Sequence, residues 1–276
     1  MEVINHITFT AEKAPHLFFY LIQNNIYFEN STIFYVTDIS ETNPHWPNIQ
    51  QIIDEEKDVI CISETIFSAE ELCSAQWLCV RSRWRFDYPQ PEDSYDMVTY
   101  SQKGACPTCG SGLVQQAAFR FKREPKWGKR DFCMTNWVED EFFLSSRAKE
   151  LFEHELIPGI SFQHVLDKKG KETFSDVHQM VISGILPNGL VEEQSCIREH
   201  YCCPHCGIKK YHPNGRGQYV FRKETFDNAP LISKTSELFG WESGAARLII
   251  VHQSVYQLIK QNKMENSLVF EPIRLK

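Results

Sequence analysis

Two Cys-Pro-x-Cys-Gly motifs, Cys106–Gly110 and Cys203–Gly207, constrain this chain more than any other feature of its sequence. A tight turn can direct two thiolates separated by two residues at one ion. Proline fixes φ at the start of such a turn, and glycine permits the left-handed conformation that closes it. The sequence therefore predicts one structural Zn²⁺ ion in a tetrahedral site. Its predicted ligands are Cys106, Cys109, Cys203 and Cys206.

The long separation of the motifs leaves other arrangements open. The second and third ligands, Cys109 and Cys203, are 94 residues apart (203 − 109), whereas about 15–20 residues separate the ligand pairs of a simple zinc ribbon. We therefore expect a folded insert whose base returns to the ion. Two separate ions, no metal, and iron in place of zinc are the alternatives. Further or rival ligands would come from Cys133, His154, Cys196, His200, Cys202, His205 and His212.

Residues 101–276 repeat one order of predicted elements. Each motif is followed by a strand, then a helix, then a short strand, and the two predicted helices carry apolar residues at matching positions. These positions are Ala148, Leu151 and Phe152 in the first helix and Val255, Leu258 and Ile259 in the second. An internal duplication would give two related strand–helix–strand lobes, 101–190 and 198–276, joined at the ion.

Residues 1–100 predict a separate N-terminal α+β segment, so the expected fold class is α+β. Strand composition marks Val3–Phe9 and Thr32–Val36, whereas Pro15–Gln23 fits either a helix or a strand. Ser68–Glu71 has the pattern of a capping box, which predicts a short helix that reaches about Trp77.

Three basic features have both a structural and a functional interpretation. Alternation over Leu78–Tyr88 predicts a strand with aromatic residues on one face and Arg81, Arg83 and Arg85 on the other. That basic face is either solvated or meets an acidic partner. Arg120–Arg130 interleaves basic residues with Trp127, as a charged hairpin tip or as a nucleic-acid site. The loop His212–Gly217 is either a plain turn or presents Arg216 to a partner.

The composition of the chain and the absence of known catalytic motifs reduce the number of functional classes that fit it. A net charge of −7 disfavours a general nucleic-acid coat, and no apolar run is long enough to cross a bilayer. The N-terminus lacks a signal-peptide pattern, so we expect a cytoplasmic protein. The sequence has no HExxH, nucleophile-elbow, P-loop or dinucleotide-binding motif, so we expect no enzymatic activity.

Several other reactive side chains are expected to have structural or solvated positions. Cysteines in apolar surroundings are more often part of a core than nucleophiles. We expect core positions for Cys61, Cys73 and Cys79. The carboxylate pairs Glu55/Glu56 and Asp140/Glu141 are expected to face solvent.

The two motifs, each followed by a strand and a helix and ending in segments such as Leu268–Ile273, resemble those of the bacterial double-CXXCG proteins. Some members of that group are immunity proteins that neutralise a cognate toxin. The resemblance covers roughly residues 101–276 and carries over only the four motif cysteines.

The resemblance implies a zinc-stabilised, non-catalytic protein whose partner is a protein rather than nucleic acid or a membrane. An acidic inhibitor suits a basic toxin such as a nuclease. The alternatives are a nucleic-acid-associated zinc-ribbon protein and an enzyme without a recognisable motif.

Overall fold

The computed structural model describes residues 1–56, 58–241 and 244–276, and its fold is mixed α/β. Strands dominate, and the described residues form six α-helices. The chain divides into two units, Met1–Glu71 with Asn214–Gln218 and Leu72–Pro213 with Tyr219–Lys276. None of the helices in the described part is long and apolar enough to cross a bilayer.

The first unit is a four-stranded antiparallel sheet with two helices. Its elements are β1 (Glu2–Phe9), α1 (Pro15–Gln23), β2 (Glu29–Asn30), β3 (Tyr35–Ser40), α2 (Trp46–Glu55) and β4 (Ile60–Ile66). The strand order is β2-β3-β1-β4. The strand predicted at Val3–Phe9 is confirmed, and the ambiguous segment is the helix α1. The strand predicted at Thr32–Val36 begins only at Tyr35.

The expectation that Glu56 faces solvent is wrong, because its carboxylate accepts hydrogen bonds from the first turn of α1. The backbone N–H groups of His16 and Leu17 donate to Glu56 Oε1 and Oε2 at 2.9 and 3.2 Å. Only 10% of the Glu56 side chain is exposed. These two N–H groups have no partner inside the helix, so a carboxylate supplied from the end of α2 satisfies them.

The segment Asn214–Gln218 packs within the first unit and does not hold Arg216 outward for a partner. Arg216 Nε donates to Ser63 Oγ at 3.0 Å, and Nη1 lies 3.1 Å from Glu41 Oε1. Gly215 has φ +72°, and a Cβ there would lie 1.9 Å from the Ser63 carbonyl oxygen. Only glycine fits this close approach of two backbones.

The boundary between the units falls within the short helix α3 (Ala69–Ser74). Its capping box forms as predicted: the Ser68 N–H donates to Glu71 Oε2 at 2.8 Å, and the Glu71 N–H donates to Ser68 Oγ at 3.2 Å. The helix ends at Ser74 because Trp77 already begins the next strand.

The second unit contains the remaining helices and sixteen strands in the described residues. The elements before residue 150 are β5 (Trp77–Ser82), α4 (Tyr95–Thr99), β6 (Tyr100–Ser101), β7 (Val114–Gln115), β8 (Arg120–Phe121), β9 (Phe132–Thr135), β10 (Val138–Leu144) and α5 (Ser146–His154). Those of the middle are β11 (Ile160–Asp167), β12 (Thr173–Ile182), β13 (Ile197–Cys202), β14 (Lys209–Pro213), β15 (Val220–Phe221) and β16 (Ile232–Lys234). The last are β17 (Leu238–Phe239), β18 (Ile249–His252), α6 (Gln253–Gln261), β19 (Leu268–Pro272) and β20 (Arg274–Leu275).

Two sheets of the second unit have the same strand–helix–strand connection around a central strand. The first is β8-β11-β12-β10-β9, and the second is β16-β18-β5-β19. In both, a strand leads through a helix, α5 or α6, to a strand two places away. The place between those strands is filled by β12 in the first sheet and by β5 in the second. β8 runs parallel to β11 at one edge of the first sheet, and β15 pairs in parallel with β20 in a separate two-stranded sheet.

The pairing of β5 explains why the boundary between the units lies at Glu71/Leu72 and not near residue 100, as expected. β5 pairs with β18 and β19, which lie more than 160 residues later in the chain, at Ile249–His252 and Leu268–Pro272. Residues 72–100 therefore belong to the unit with the cysteine motifs. The sequence around such a strand does not indicate which sheet the strand joins.

One hydrophobic core joins the two sheets and their helices. It contains Val80 and Phe270 from the second sheet, Phe132 and Met180 from the first, and the apolar stripes of α5 and α6. The matching positions have matching burial: Ala148, Phe152, Val255 and Ile259 are buried, and Leu151 and Leu258 are half-buried. The two predicted helices and their core-facing stripes are confirmed.

The strand predicted over Leu78–Tyr88 is shorter and buried on both faces. β5 ends at Ser82, and Cys79, which alternation places on the same face as Arg81, is 4% exposed in a second core with Trp77 and Ile250. Its arginines lie beside carboxylates: Arg81 Nε is 3.1 Å from Glu271 Oε1, and Arg85 Nη2 is 3.6 Å from Glu139 Oε1.

The basic segment Arg120–Arg130 does not expose its tryptophan. Trp127 is 8% exposed, and its indole N–H donates to the Asp176 carbonyl oxygen at 2.7 Å. Arg130 lies over the Trp84 ring, with 4.1 Å between the guanidinium carbon and the ring centroid. The aromatic ring of this segment is therefore closed to stacking with a nucleobase.

A buried ion pair connects the two sheets. Lys234 Nζ, on β16, lies 2.6 Å from Glu141 Oε1, on β10, and 3.7 Å from Asp140 Oδ2. Gln179 donates to Glu141 Oε2 at 3.1 Å. The expectation that Glu141 faces solvent is wrong, because 12% of its side chain is exposed and a lysine 93 residues away meets it.

Candidate metal centre

Each cysteine motif forms the turn between two short paired strands. The first knuckle (Cys106–Gly110) lies between β6 and β7, and the second knuckle (Cys203–Gly207) lies between β13 and β14. Gly110 and Gly207 have φ values of +68° and +72°, the left-handed conformation expected for the closing residue.

The backbone hydrogen bonds of the two knuckles are equivalent. In the first, the Cys106 N–H donates to Ser111 O at 2.8 Å, and the Gly110 N–H donates to Cys106 O at 2.9 Å. In the second, the Cys203 N–H donates to Ile208 O at 3.0 Å, and the Gly207 N–H donates to Cys203 O at 2.9 Å. The shared local sequence thus gives the same turn twice.

The four sulfur atoms meet in one place. Cys106 Sγ lies 3.8 Å from Cys203 Sγ, Cys109 Sγ lies 3.7 Å from Cys206 Sγ, and all four sulfurs are within 4.8 Å of one another. A disulfide needs an S–S distance of about 2.05 Å, so these thiols are not bonded. A tetrahedral ion with Zn–S bonds of about 2.3 Å places its sulfurs about 3.8 Å apart. The cluster is therefore compatible with one zinc ion.

Local hydrogen bonds favour the thiolate form in the first knuckle. Burial raises the pKa of the Cys109 thiol, but hydrogen bonds from the Ser111 hydroxyl and N–H, together with those to the Cys203 and Cys106 sulfurs, lower the pKa to about 6. Burial also opposes ionisation of Cys106, whose pKa is nevertheless lowered by the N–H groups of Cys109 and Thr108. N–H groups that point at sulfur are what a knuckle supplies to an anionic metal cluster.

The second knuckle shows the opposing effect of crowded sulfurs. The Ile208 N–H lowers the pKa of Cys206, but burial and the three neighbouring cysteine sulfurs raise it to about 12. Four thiolates at these distances repel one another, so complete ionisation requires a cation. A divalent ion at the centre supplies that charge, as metal binding to thiols releases their protons.

A fully buried lysine adjoins the cluster and was not predicted from the sequence. Lys210, on β14, is 1% exposed, and its Nζ donates to the Cys109 carbonyl oxygen at 3.0 Å. An ammonium group here offsets the excess negative charge of four thiolates around a divalent ion. Lys209 and Lys210 are consecutive, and no pattern in the sequence marks which of them is buried.

We expect replacement of Lys210 with methionine to weaken metal binding by about 10–100-fold, because a charge that supports the ligands is lost. Competition with a chromophoric zinc chelator measures this change. Lys209→Met is the matched control, since Lys209 is about one-third exposed and pairs with Glu192 at the surface. Equal losses in the two variants would contradict the role of the buried charge.

The other candidate ligands lie outside this cluster. Cys133 and Cys196 belong to two hydrophobic cores, where burial raises the pKa of both thiols. His200 lies 2.8 Å from Glu192, and His212 is buried 3.6 Å from Glu199. His154, Cys202 and His205 are exposed. Within residues 1–56, 58–241 and 244–276, the four knuckle cysteines form the only group of metal-ligating type, so the two knuckles make one site and not two.

The three cysteines expected in a core differ from one another. Cys79 is buried, and Cys61 is half-buried, with a pKa raised by burial. Cys73 is exposed, so the expectation for that residue is wrong. It lies near the end of α3, and Gln257 Nε2 donates to its Sγ at 4.0 Å.

Two comparisons with known proteins gave no match for this chain. No protein-family description matches it, and no curated protein matches it. The four-cysteine cluster, which could hold a metal ion, is therefore the main structural observation that bears on function.

Proposed function

We propose that this chain is a zinc-stabilised, non-catalytic binding protein. The observation that carries the proposal is the set of four sulfurs within 4.8 Å of one another, drawn from two knuckles 97 residues apart. Four thiolates complete a tetrahedron and leave no position for a reactive water, which a catalytic zinc requires. The ion would therefore hold two distant parts of the chain together.

The arrangement around the ion supports an internal duplication. Each half supplies one knuckle, then an antiparallel pair of strands, a helix with the same buried stripe, and a returning strand. In this proposal the two halves are related lobes, and the zinc ion fixes one against the other. The second lobe completes its sheet with β5 in place of a strand of its own.

The partner we propose is a protein, and the specific role is that of an immunity protein against a cognate toxin. This role rests on the resemblance to double-CXXCG proteins and on the net charge of −7. A closed structural site suits a stoichiometric inhibitor, whose activity needs a stable surface and no reactive group. Its negative charge would speed association with a basic toxin such as a nuclease.

The contacts of the basic residues disfavour the nucleic-acid alternative. Arg81 and Arg85 lie beside Glu271 and Glu139, and Trp127 is buried. A single-strand binder needs exposed rings and free cations along one groove. The enzyme alternative has no specific observation in its favour.

Retention of a partner by the zinc-loaded chain tests the proposal. We expect a native-cell pull-down followed by mass spectrometry to recover one protein in equimolar amount. We also expect co-expression with a toxin encoded next to this chain to rescue growth only at equimolar or higher levels. Rescue at substoichiometric levels would point to an enzyme, and salt-sensitive binding to mixed DNA or RNA would favour the second alternative.

A further inference from the structure

A cluster of three aromatic side chains lies at the tip of the β9–β10 hairpin. The ring centroid of Trp137 is 4.6 Å from that of Tyr88 and 6.0 Å from that of Tyr95, which stacks on it at 25°. Trp137 itself is 56% exposed. Tryptophan, tyrosine and arginine are the residues most enriched at the energetic centres of protein interfaces.

The backbone places Trp137 in an unfavourable conformation. Its φ is +66°, in the left-handed region that bulky residues rarely adopt. Asn136 precedes it in the same turn, and asparagine adopts this conformation more readily. A large side chain therefore occupies a strained backbone position, although it is mostly exposed and contributes little to the core.

The surroundings of the aromatic cluster are acidic. The chain segments that carry it, 87–96 and 136–141, contain carboxylates and no lysine or arginine. These carboxylates are Asp87, Glu92, Asp93, Asp96, Glu139, Asp140 and Glu141. Basic side chains from elsewhere reach some of them: Arg123 is 3.8 Å from Asp87, Arg85 is 3.6 Å from Glu139, and Lys234 meets Asp140 and Glu141. The seven carboxylates of the two segments outnumber the three basic side chains of these ion pairs.

A cavity opens beside this cluster. Its volume is about 780 Å³, and Tyr95, Trp137, Glu139 and Asp140 are among the residues that line it. The lining also includes residues Cys109–Leu113, at the first knuckle, and the basic side chains of Lys209, Arg222 and Arg247. The aromatic and acidic side chains thus border a space large enough to receive side chains of a second molecule.

We propose that Tyr88, Tyr95, Trp137, Glu139 and Asp140, which we call the aromatic–acidic surface, bind an arginine-bearing loop of a basic protein partner. Charge complementarity selects the occupant, because a guanidinium stacks on an indole face while its N–H groups donate to carboxylates. The inference rests on the proposed function only in taking the partner to be a protein.

A peptide titration of the zinc-loaded full chain tests this surface directly. The probe is a short peptide of alternating arginine and glycine, and its counterpart carries glutamate in place of arginine. The readout is the indole N–H signals of the six tryptophans, with Trp137 assigned through Trp137→Phe. Trp241 is the matched control, since it is also exposed, at 68%, but packs on His212.

We expect the arginine peptide to shift the Trp137 signal and leave that of Trp241 in place. Trp137→Ala and Glu139→Gln should each raise the dissociation constant at least about tenfold, and NaCl at about 0.5 M should weaken binding further. Trp241→Ala should bind normally. Equal losses in the two tryptophan variants, or equal binding of the glutamate peptide, would overturn the inference.

Binding of the native partner to the unmodified chain and to Trp137→Ala distinguishes failure of this inference from failure of the proposed function. If the unmodified chain retains an equimolar protein partner and Trp137→Ala retains it with unchanged affinity, the aromatic–acidic surface is wrong and the binding function stands. If no protein partner is retained by the zinc-loaded chain, the proposed function itself fails.

Discussion

Replacement of Cys106 with serine is expected to release the metal and unfold the unit that contains the two knuckles. Structural zinc contributes about 10–16 kcal/mol in zinc-finger peptides, whereas the whole stability of a domain is about 5–15 kcal/mol. Cys106 Sγ is one of the four clustered sulfurs, 3.8 Å from Cys203 Sγ, and its side chain is buried. A hydroxyl there is a poor zinc ligand, so the remaining thiolates would repel one another without their cation.

Elemental analysis and thermal unfolding measure this effect together. Purified Cys106→Ser or Cys206→Ser should contain much less than one zinc per chain, and the melting transition should be lost or greatly lowered. Cys202→Ser is the control, because Cys202 adjoins Cys203 but is exposed and outside the cluster. Removal of metal from the unmodified chain with a chelator should reproduce the cysteine variants. An unchanged metal content in either cysteine variant would discard the shared site.

Replacement of Lys234 with methionine is expected to destabilise the fold by about 3–5 kcal/mol, because it leaves the buried Glu141 carboxylate without its partner. Lys234 Nζ and Glu141 Oε1 are 2.6 Å apart, and 8% and 12% of the two side chains are exposed. The pair joins β16 of one sheet to β10 of the other. Its loss therefore weakens the core between the two sheets.

The double variant Lys234→Met/Glu141→Leu separates the cost of an unpaired charge from the value of the pair. Replacing both partners with apolar residues of similar volume is often neutral, so most of the lost stability should return. Denaturant unfolding of the single and double variants measures the difference. If the double variant is as unstable as the sum of the single variants, burial of an unpaired charge is not the cause.

The effect of Lys234→Met should also depend on pH. Burial raises the pKa of Glu141, and Lys234 opposes that shift, so removing the lysine raises the pKa of the folded state further. The unfolded carboxyl then ionises first, and the folded state loses stability as pH rises from the unfolded pKa to the folded pKa. The variant should therefore be closer to the unmodified chain at about pH 4 than at pH 7. Equal losses at both pH values would contradict this account.

Local features of the sequence determined the elements that depend on neighbouring residues. The Cys-Pro-x-Cys-Gly spacing specifies each knuckle, since the turn, its glycine and its two sulfurs lie within five residues. The capping box at Ser68–Glu71 and the apolar stripes of α5 and α6 are equally local, with partners three or four positions away. The convergence of the four knuckle cysteines was also predicted, because a complete ligand set requires both motifs.

Tertiary structure alone decided which strands share a sheet and which charges are buried. β5 completes a sheet with strands from the end of the chain, and Lys210 and Lys234 are buried by contacts with residues 101 and 93 positions away. The loop His212–Gly217 was open to two interpretations, and only the tertiary structure shows that Arg216 donates to Ser63, 153 residues away. A charged side chain is predicted to be solvated because its burial costs free energy unless a partner is present. Partners this distant in the chain give no periodic pattern in the sequence, so the burial of these lysines was not predicted.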